Sequence, residues 1–384
     1  MLIRLPFLST FAMLATLMLT LSSCSDNKEP EPPKTPRTIL VYMAACNSLG
    51  SAGYDALDLD EMTHAVRSGD IGDGRLLVYH ADMYGTEKLM EIDKEGTRVL
   101  KTYSDNDGLS SVHAKRMSQV IDDAKRFAPA DSYGLILWSH GLGWLQNGIS
   151  DDFAPEISAH SWGEERGRTM NITSLENALS GKNLDFVYFD CCYMASIEVV
   201  YQLRNVTDHI VASAIELPSE GMPYDKTLKP LFAVPNPELE NAARNTFMHY
   251  DAKSGEDRTC AISVISTAPL NDIAKISKKI LSASQGKTPE GFKPQRFMVE
   301  SRCWFFDFAQ YYQALAEYAG CDDDISQWNM FMDSCVIYAA STPKIWNQLE
   351  IKHHCGLSTY IPSDNDTSIK NYNTLDWYKD VIAP

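Results

Sequence analysis

Two reactive side chains in this sequence stand at the ends of strand-like runs. Leu184 to Phe189 is apolar and stops at Asp190, and Cys191 and Cys192 follow at once. Upstream, Gly134 to Trp138 is another apolar run, and it leads through Ser139 into His140, Gly141, Leu142 and Gly143. In open α/β sheets, reactive groups gather at the carboxyl ends of strands. A cysteine nucleophile and its base are normally distant in sequence and adjacent in the fold. The chemistry on offer is covalent. A thiol with an ordinary pKa of about 8.5 is only a few per cent thiolate at neutral pH. An imidazole beside it supplies the missing base and later returns the proton to the leaving group. Gly141, next to the histidine, leaves a backbone N–H open, and with the N–H of the nucleophilic cysteine it could bind an oxyanion. Residue type alone leaves Cys191 and Cys192 equivalent.

The elements that must position these groups follow a strand–helix alternation. Thr38 to Ala45, Arg75 to His80, Leu135 to Trp138, Phe186 to Phe189 and His209 to Ser213 are short apolar runs, the pattern of strands buried on both faces. Helical periodicity falls between them: Leu57 to Val66, Ser110 to Phe127, Ile172 to Leu179 and Cys192 to Arg204. Thr173 and Glu176 have the spacing of a capping box. Leu89 to Ile92 and Arg98 to Tyr103 read as a hairpin or edge strands. The alternation argues a mostly parallel sheet with helices on both faces. Residues 145–170 are polar, glycine-rich and aperiodic, which predicts a long loop. Loops of this length inside a domain are usually functional or disordered. Further helices are expected at Leu239 to Asp251 and Asn271 to Ser284, and strands at Cys260 to Ile265 and Cys355 to Pro362. The aromatic stretch Phe297 to Tyr318 reads as core or interface.

Composition narrows the function. The chain has 384 residues, of which 44% are hydrophobic, enough to bury a sizeable core. The net charge of -17, with no basic cluster, argues against nucleic acid as a partner. Arg4 and the apolar stretch Leu5 to Leu21, followed by Ser22-Ser23-Cys24, read as a signal peptide of residues 1–23 with a lipobox. Cys24 would carry the lipid, and residues 24–37 form a Pro/acidic tether. The expected location is the bacterial outer membrane after export, with the membrane as a partner through the anchor. The remaining eight cysteines are irregularly spaced and contain no CxxC, so few or no disulfides are expected. No metal site is assigned. His353-His354 reads as a surface or strand-edge pair, and Asp322-Asp323-Asp324 as a turn and helix start.

Three motifs together carry a family resemblance. They are Val41-Tyr42-Met43-Ala44-Ala45 with Asp60-Glu61-Met62, Trp138-Ser139-His140-Gly141 with Gly143-Trp144, and Phe189-Asp190-Cys191-Cys192-Tyr193-Met194 with Glu198. This set resembles the clostripain family of cysteine endopeptidases, relatives of gingipains and legumains. The likeness runs from about residue 39 to 225 and more loosely beyond. It implies an α/β fold, a caspase-like three-layer α/β/α sandwich with a mostly parallel central sheet. That domain would span residues 38–265, with an added α+β region at 266–384 packed on it. It places the nucleophile at Cys192, the small residue of the motif at Cys191, the base at His140, and the oxyanion hole at the N–H groups of Gly141 and Cys192. No third catalytic carboxylate belongs to the pattern. The reaction implied is cleavage of proteins or peptides after basic residues, Arg preferred, through a thioester acyl-enzyme. Asp190 would line the S1 pocket, where a carboxylate can pair with guanidinium. Glu220, then Glu216, would supply a second acid. A strand-end structural carboxylate is the competing reading for Asp190. Maturation by cleavage between His and Cys would fall at Arg166 or Arg168. No cofactor is required, and calcium is the one candidate ion. This sequence departs from the pattern at Cys191, where alanine is expected, and at Cys46, where an acidic residue is common. A catalytically silent binding lipoprotein of the same fold is the rival reading, which the presence of both His140 and Cys192 disfavours. A serine hydrolase is disfavoured by the lack of a G-x-S-x-G elbow.

Overall fold

The apolar runs become neighbouring strands of one sheet. The computed structural model describes residues 32–104, 107–145, 161–362 and 372–384. The leader, Cys24, most of the tether and residues 146–160 of the long loop lie outside the described residues. Residues 33–384 form one compact unit.

In chain order, β1 is Thr35–Ala44, α1 Ser48–Ser51, α2 Tyr54–Ser68, β2 Arg75–Ala81, β3 Glu87–Ile92 and β4 Thr97–Tyr103. Then come α3 Ala114–Phe127, β5 Ala130–Trp138, β6 Trp162–Glu165, β7 Arg168–Met170, α4 Ile172–Leu179, β8 Leu184–Asp190, α5 Ile197–Gln202 and β9 Thr207–Ser213. The remainder is α6 Tyr224–Leu231, α7 Leu239–Asp251, β10 Ala261–Ser266, α8 Leu270–Ser284, β11 Phe306–Asp307, α9 Phe308–Ala319, α10 Asp322–Cys335, β12 Val336–Ser341, β13 Lys344–Ile345, β14 Leu349–Glu350 and β15 Ser358–Thr359.

The main sheet has nine strands in the order β12-β10-β9-β8-β5-β1-β2-β3-β4. Its centre, β9-β8-β5-β1-β2, is parallel. Antiparallel strands close both edges. Alternate residues of the central strands feed two separate cores, as the period-2 geometry of strands requires. Leu40, Tyr42, Leu135, Leu137, Val187 and Phe189 pack with α3, α4, α5, α8 and α9 on one face. Ile39, Val41, Ile136, Trp138, Phe186 and Tyr188 pack with α2, α6 and α7 on the other. The result is three layers, the caspase-like sandwich.

Several local expectations are corrected. Helix does not begin at Cys192: α5 starts only at Ile197, capped by the Ser196 hydroxyl. Residues 193–195 stay open because Tyr193 N–H donates to Ile215 O and Ala195 N–H to Ser213 O. Tyr193 sits at φ 60, a backbone state that a helix excludes. The Thr173/Glu176 pair forms no capping box; Asn171 is the N-cap, with no side-chain cap bond, and Glu176 accepts from Gln202 instead. Helix α3 begins at Ala114 rather than Ser110, and Ser111 is drawn aside to bond Glu165. The second half of the long loop is ordered as the hairpin β6–β7. The late strand shrinks to β15, and β12, which no periodicity announced, forms one edge of the main sheet.

The buried Glu198 carboxyl explains how the C-terminal region is tied on. It accepts from Tyr360 N at 2.8 Å and Thr359 Oγ at 3.1 Å, and burial pushes its pKa up to about 7. The aromatics Trp304, Phe305, Phe308, Tyr311 and Tyr312 are buried in the core beneath it.

Candidate active site

The register of β5 against β8 delivers the two reactive side chains. Trp138 pairs with Asp190, so His140 and Cys192 each lie two residues past the same rung of a parallel ladder. Gly141 makes the close approach feasible. A Cβ there would stand 2.7 Å from the carbonyl oxygen of Cys192 and 3.0 Å from Cys191 Sγ, so any side chain would push the tips apart. Neither the Gly141 N–H nor the Cys192 N–H has a partner among the described residues, and both remain available as donors.

The neighbouring thiols differ in environment. Cys191 is 4% exposed and packs into the core under α5, where burial raises its pKa. Cys192 is half-buried. Leu217 N–H donates to its Sγ at 3.3 Å, and its pKa is pushed up to about 12, first by burial and then by Glu216. The His140 imidazole is also half-buried. Its Nε2 lies 2.8 Å from Ser48 Oγ and 3.9 Å from Glu164 Oε2. Burial lowers its pKa, and the Glu164 carboxylate works in the opposite direction. Among the described residues no hydrogen bond links His140 to Cys192, so proton transfer requires one to approach the other.

Asp190 is 4% exposed and its carboxylate is already engaged, by Met222 N at 2.8 Å and the Tyr224 hydroxyl at 2.9 Å. Gly221, at φ 65, lies against it; a Cβ there would be 2.8 Å from Oδ1. Two further acids share this region. Asp58 accepts from Trp138 Nε1 at 2.6 Å, and Glu61 accepts from Tyr224 N at 2.8 Å. Burial raises the pKa of Asp58, Glu61 and Asp190 alike, and Asp190 pushes Asp58 up further. Three carboxyls of raised pKa thus lie behind one strand tip.

The two other acids have separate fates. Glu216 reaches the thiol's surroundings, held by Trp346 Nε1 at 2.9 Å, with its pKa raised by burial. Glu220 is exposed and turns away, ion-paired with Lys253 and 3.6 Å from His249. Glu216, rather than Glu220, is therefore the acid beside Cys192. Arg166 and Arg168 are exposed on the β6–β7 hairpin, Arg166 at its turn with φ 50. Cys46 is buried, with its thiol facing Met83 O at 3.7 Å. His353 is exposed and His354 is half-buried: the His354 ring meets Phe297 edge-on at 5.8 Å, and burial lowers its pKa to about 4. No group of three or more His, Cys, Asp or Glu among the described residues is arranged to hold a metal ion. All eight described cysteines are free.

Ser48 and Glu164 are the site residues that sequence reasoning missed. Ser48 follows the first strand and Glu164 sits in an aperiodic polar stretch, so no spacing marks either of them.

A sequence model of the clostripain family (peptidase C11) matches residues 41–383. The chain belongs to this family. Solved structures agree. A secreted C11 cysteine protease from Bacteroides thetaiotaomicron, in complex with an irreversible peptide inhibitor, is 29% identical, with TM-score 0.75, over 90% of this chain and 99% of that one. An inactive zymogen C11 protease from Parabacteroides distasonis is 27% identical, with TM-score 0.76, over 91% and 99%. A second secreted C11 protease from B. thetaiotaomicron shares the fold at TM-score 0.77 and 21% identity, over 91% and 100%. No curated protein matches the chain. The protein is a cysteine peptidase, a hydrolase of the clostripain family, and its caspase-like sandwich is that of these relatives. No helix among the described residues is long and apolar enough to cross a membrane.

Proposed function

We propose that this protein is an exported, lipid-anchored endopeptidase that cleaves after basic residues, Arg preferred, with Cys192 as nucleophile and His140 as base and acid. The observation that carries this reading is the parallel rung Trp138–Asp190, from which both groups project at adjacent strand tips. His140 takes the thiol proton as Sγ attacks the scissile carbonyl. The N–H groups of Gly141 and Cys192 receive the oxyanion, a contribution worth about 3 kcal/mol per donor. His140 then protonates the leaving amine, and water hydrolyses the thioester. These steps use side chains and backbone alone; calcium has no assigned residues here.

The basic P1 side chain is drawn toward the acidic region behind Cys192. Asp190 is its main carboxylate, and Glu216 is better placed than Glu220 to assist at the thiol. Desolvated carboxylates gain most from a guanidinium that arrives with its own hydrogen bonds. Maturation cleavage is assigned to Arg166 or Arg168, and a relative described as an inactive zymogen supports a precursor form. Lipidation at Cys24 would hold the enzyme at the outer membrane; relatives described as secreted fit the export half of this reading.

A panel of peptides differing only at P1 tests the specificity. Arg should exceed Lys, and both should exceed neutral residues by a large factor. Equal rates at neutral P1 would refute the acidic-pocket assignment. Peptide mapping of the stored enzyme tests maturation. A cut after Arg166 or Arg168 that disappears in Cys192→Ala is expected, and a fully active intact chain would contradict it.

A further inference from the structure

We propose that Ser48 and Glu164 are positioning residues for His140: together they hold its Nε2 and leave Nδ1 as the nitrogen that exchanges a proton with Cys192. The proposal rests on the reading of His140 as the catalytic base. Both contacts fall on the same ring nitrogen, Ser48 Oγ at 2.8 Å and Glu164 Oε2 at 3.9 Å. No hydrogen bond reaches Nδ1 among the described residues.

These two groups are fixed by one buried knot. Asn47 is 6% exposed, and Ser139 is 3% exposed. The Asn47 side chain caps α1 by accepting from Leu49 N at 3.0 Å, which sets Ser48 in place. Its Nδ2 donates to Ala44 O at 2.8 Å, Ser139 Oγ at 3.1 Å and Glu164 O at 3.0 Å. Ser139 Oγ in turn donates to Ala44 O at 2.9 Å and accepts from Glu164 N at 3.1 Å. The β6–β7 hairpin is further pinned by Gly163 N–H to His140 O at 2.9 Å and by Leu142 N–H to Ser161 O at 3.1 Å. Thus the tip of β1, the residue before His140 and the backbone of Glu164 form a single unit around the imidazole.

The Ser48 hydroxyl can donate or accept, and it is the acceptor-only Glu164 carboxylate that favours a proton on Nε2. With its proton on Nε2, neutral His140 donates to Ser48 Oγ and presents a lone pair at Nδ1. When Cys192 Sγ bonds to the carbonyl carbon, the thiol proton moves to Nδ1 and the carbonyl pair moves onto oxygen. The imidazolium keeps its Nε2–H facing Ser48 and the Glu164 carboxylate, which favours the charged ring. Collapse breaks the C–N bond, and the Nδ1 proton leaves with the amine. In the second half the water oxygen bonds to the acyl carbon as Nδ1 takes its proton and the carbonyl pair moves onto oxygen; collapse then breaks the C–S bond, and Nδ1 returns the proton to sulfur. The other charged groups near the site act elsewhere. Glu216 and Asp190 bear on Cys192, Glu165 is bonded to Ser111, and the Cys191 thiol is neutral against Gly141.

The test uses Glu164→Gln and Ser48→Ala in the full enzyme, with Cys192→Ala for spectroscopy. Glu164→Gln should lower kcat about tenfold with KM nearly unchanged, and should move the acid limb of kcat/KM to lower pH, because the imidazolium loses its carboxylate. Ser48→Ala should lower kcat about threefold, with Ser48→Thr restoring it. The ¹⁵N spectrum of Cys192→Ala, with His140 signals assigned by their loss on His140→Gln, should show the proton on Nε2. A proton on Nδ1, or an unmoved acid limb with wild-type kcat in both variants, would overturn the proposal. An active His140→Ala would instead overturn the reading of His140 as base, so the two failures are distinct.

Discussion

At the two strand tips that meet at the active site, burial opposes charge alike, while the neighbouring carboxylates act in opposite senses. At the β5 tip, a partly exposed carboxylate, Glu164, lies 3.9 Å from an imidazole whose charged form it favours. At the β8 tip, burial opposes the charged form of the thiol first, and Glu216 and then Asp190 add to it. A carboxylate beside an imidazole favours its charged form, and a carboxyl stripped of water rises in pKa. The carboxylates at the two tips thus act in opposite senses: Glu164 favours a proton on the histidine, and Glu216 disfavours charge on the thiol.

Breaking either tip outright should have the largest effect. Cys192→Ala should reduce peptide hydrolysis by roughly four orders of magnitude, whereas Cys191→Ala, at a buried packing position, should stay within a few-fold of wild type in initial-rate assays. Next in size is the acid behind the thiol. Asp190→Asn should cut kcat/KM for Arg substrates about a hundredfold and leave neutral-P1 substrates little changed, since only the former lose a charge-assisted bond. The P1 panel on the variant reads this directly. The point where the tips touch is third. Gly141→Ala should destabilise the fold by about 1–3 kcal/mol through overpacking against Cys192 O, seen as a lower midpoint in denaturant unfolding. The smallest effect sharpens the contrast. Glu216→Gln removes a negative charge beside the thiol, so the thiol pKa falls and alkylation by iodoacetamide at fixed neutral pH should rise about two- to fivefold. Measured in a His140→Ala background, the change reports Glu216 alone.

Much of the fold and the reactive pair is legible in the amino-acid sequence. The buried strands stand out as unbroken apolar runs, and the two motifs at their ends carry the histidine and the cysteine. Hydrophobic pattern reports what a strand faces, so Thr35–Ala44 and Leu184–Asp190 agree with those runs to within a few residues. The failures have a common cause. Cys192 to Ala195 look helical by composition, yet the N–H groups of Tyr193 and Ala195 are spent on Ile215 and Ser213, partners more than fifteen residues away in sequence. Trp162 and Met170 are buried, but they flank a polar turn too short to show a period. Glu164 is held beside His140 by bonds of its backbone to Asn47 and Ser139 and of Gly163 N–H to His140 O, a meeting of three distant segments that no spacing encodes. Glu216 and Glu220 are both acidic residues of one loop, and only the positions of Trp346 and Lys253 tell them apart.

The central claim is that Cys192 is the nucleophile, set against a histidine base at the neighbouring strand tip. Mass-spectrometric mapping after reaction with one equivalent of an Arg-directed peptidyl electrophile tests it most directly. The account predicts a single label on Cys192, formed slowly in His140→Ala and absent in Cys192→Ala. A label on Cys191, or labelling at full rate without His140, would contradict it.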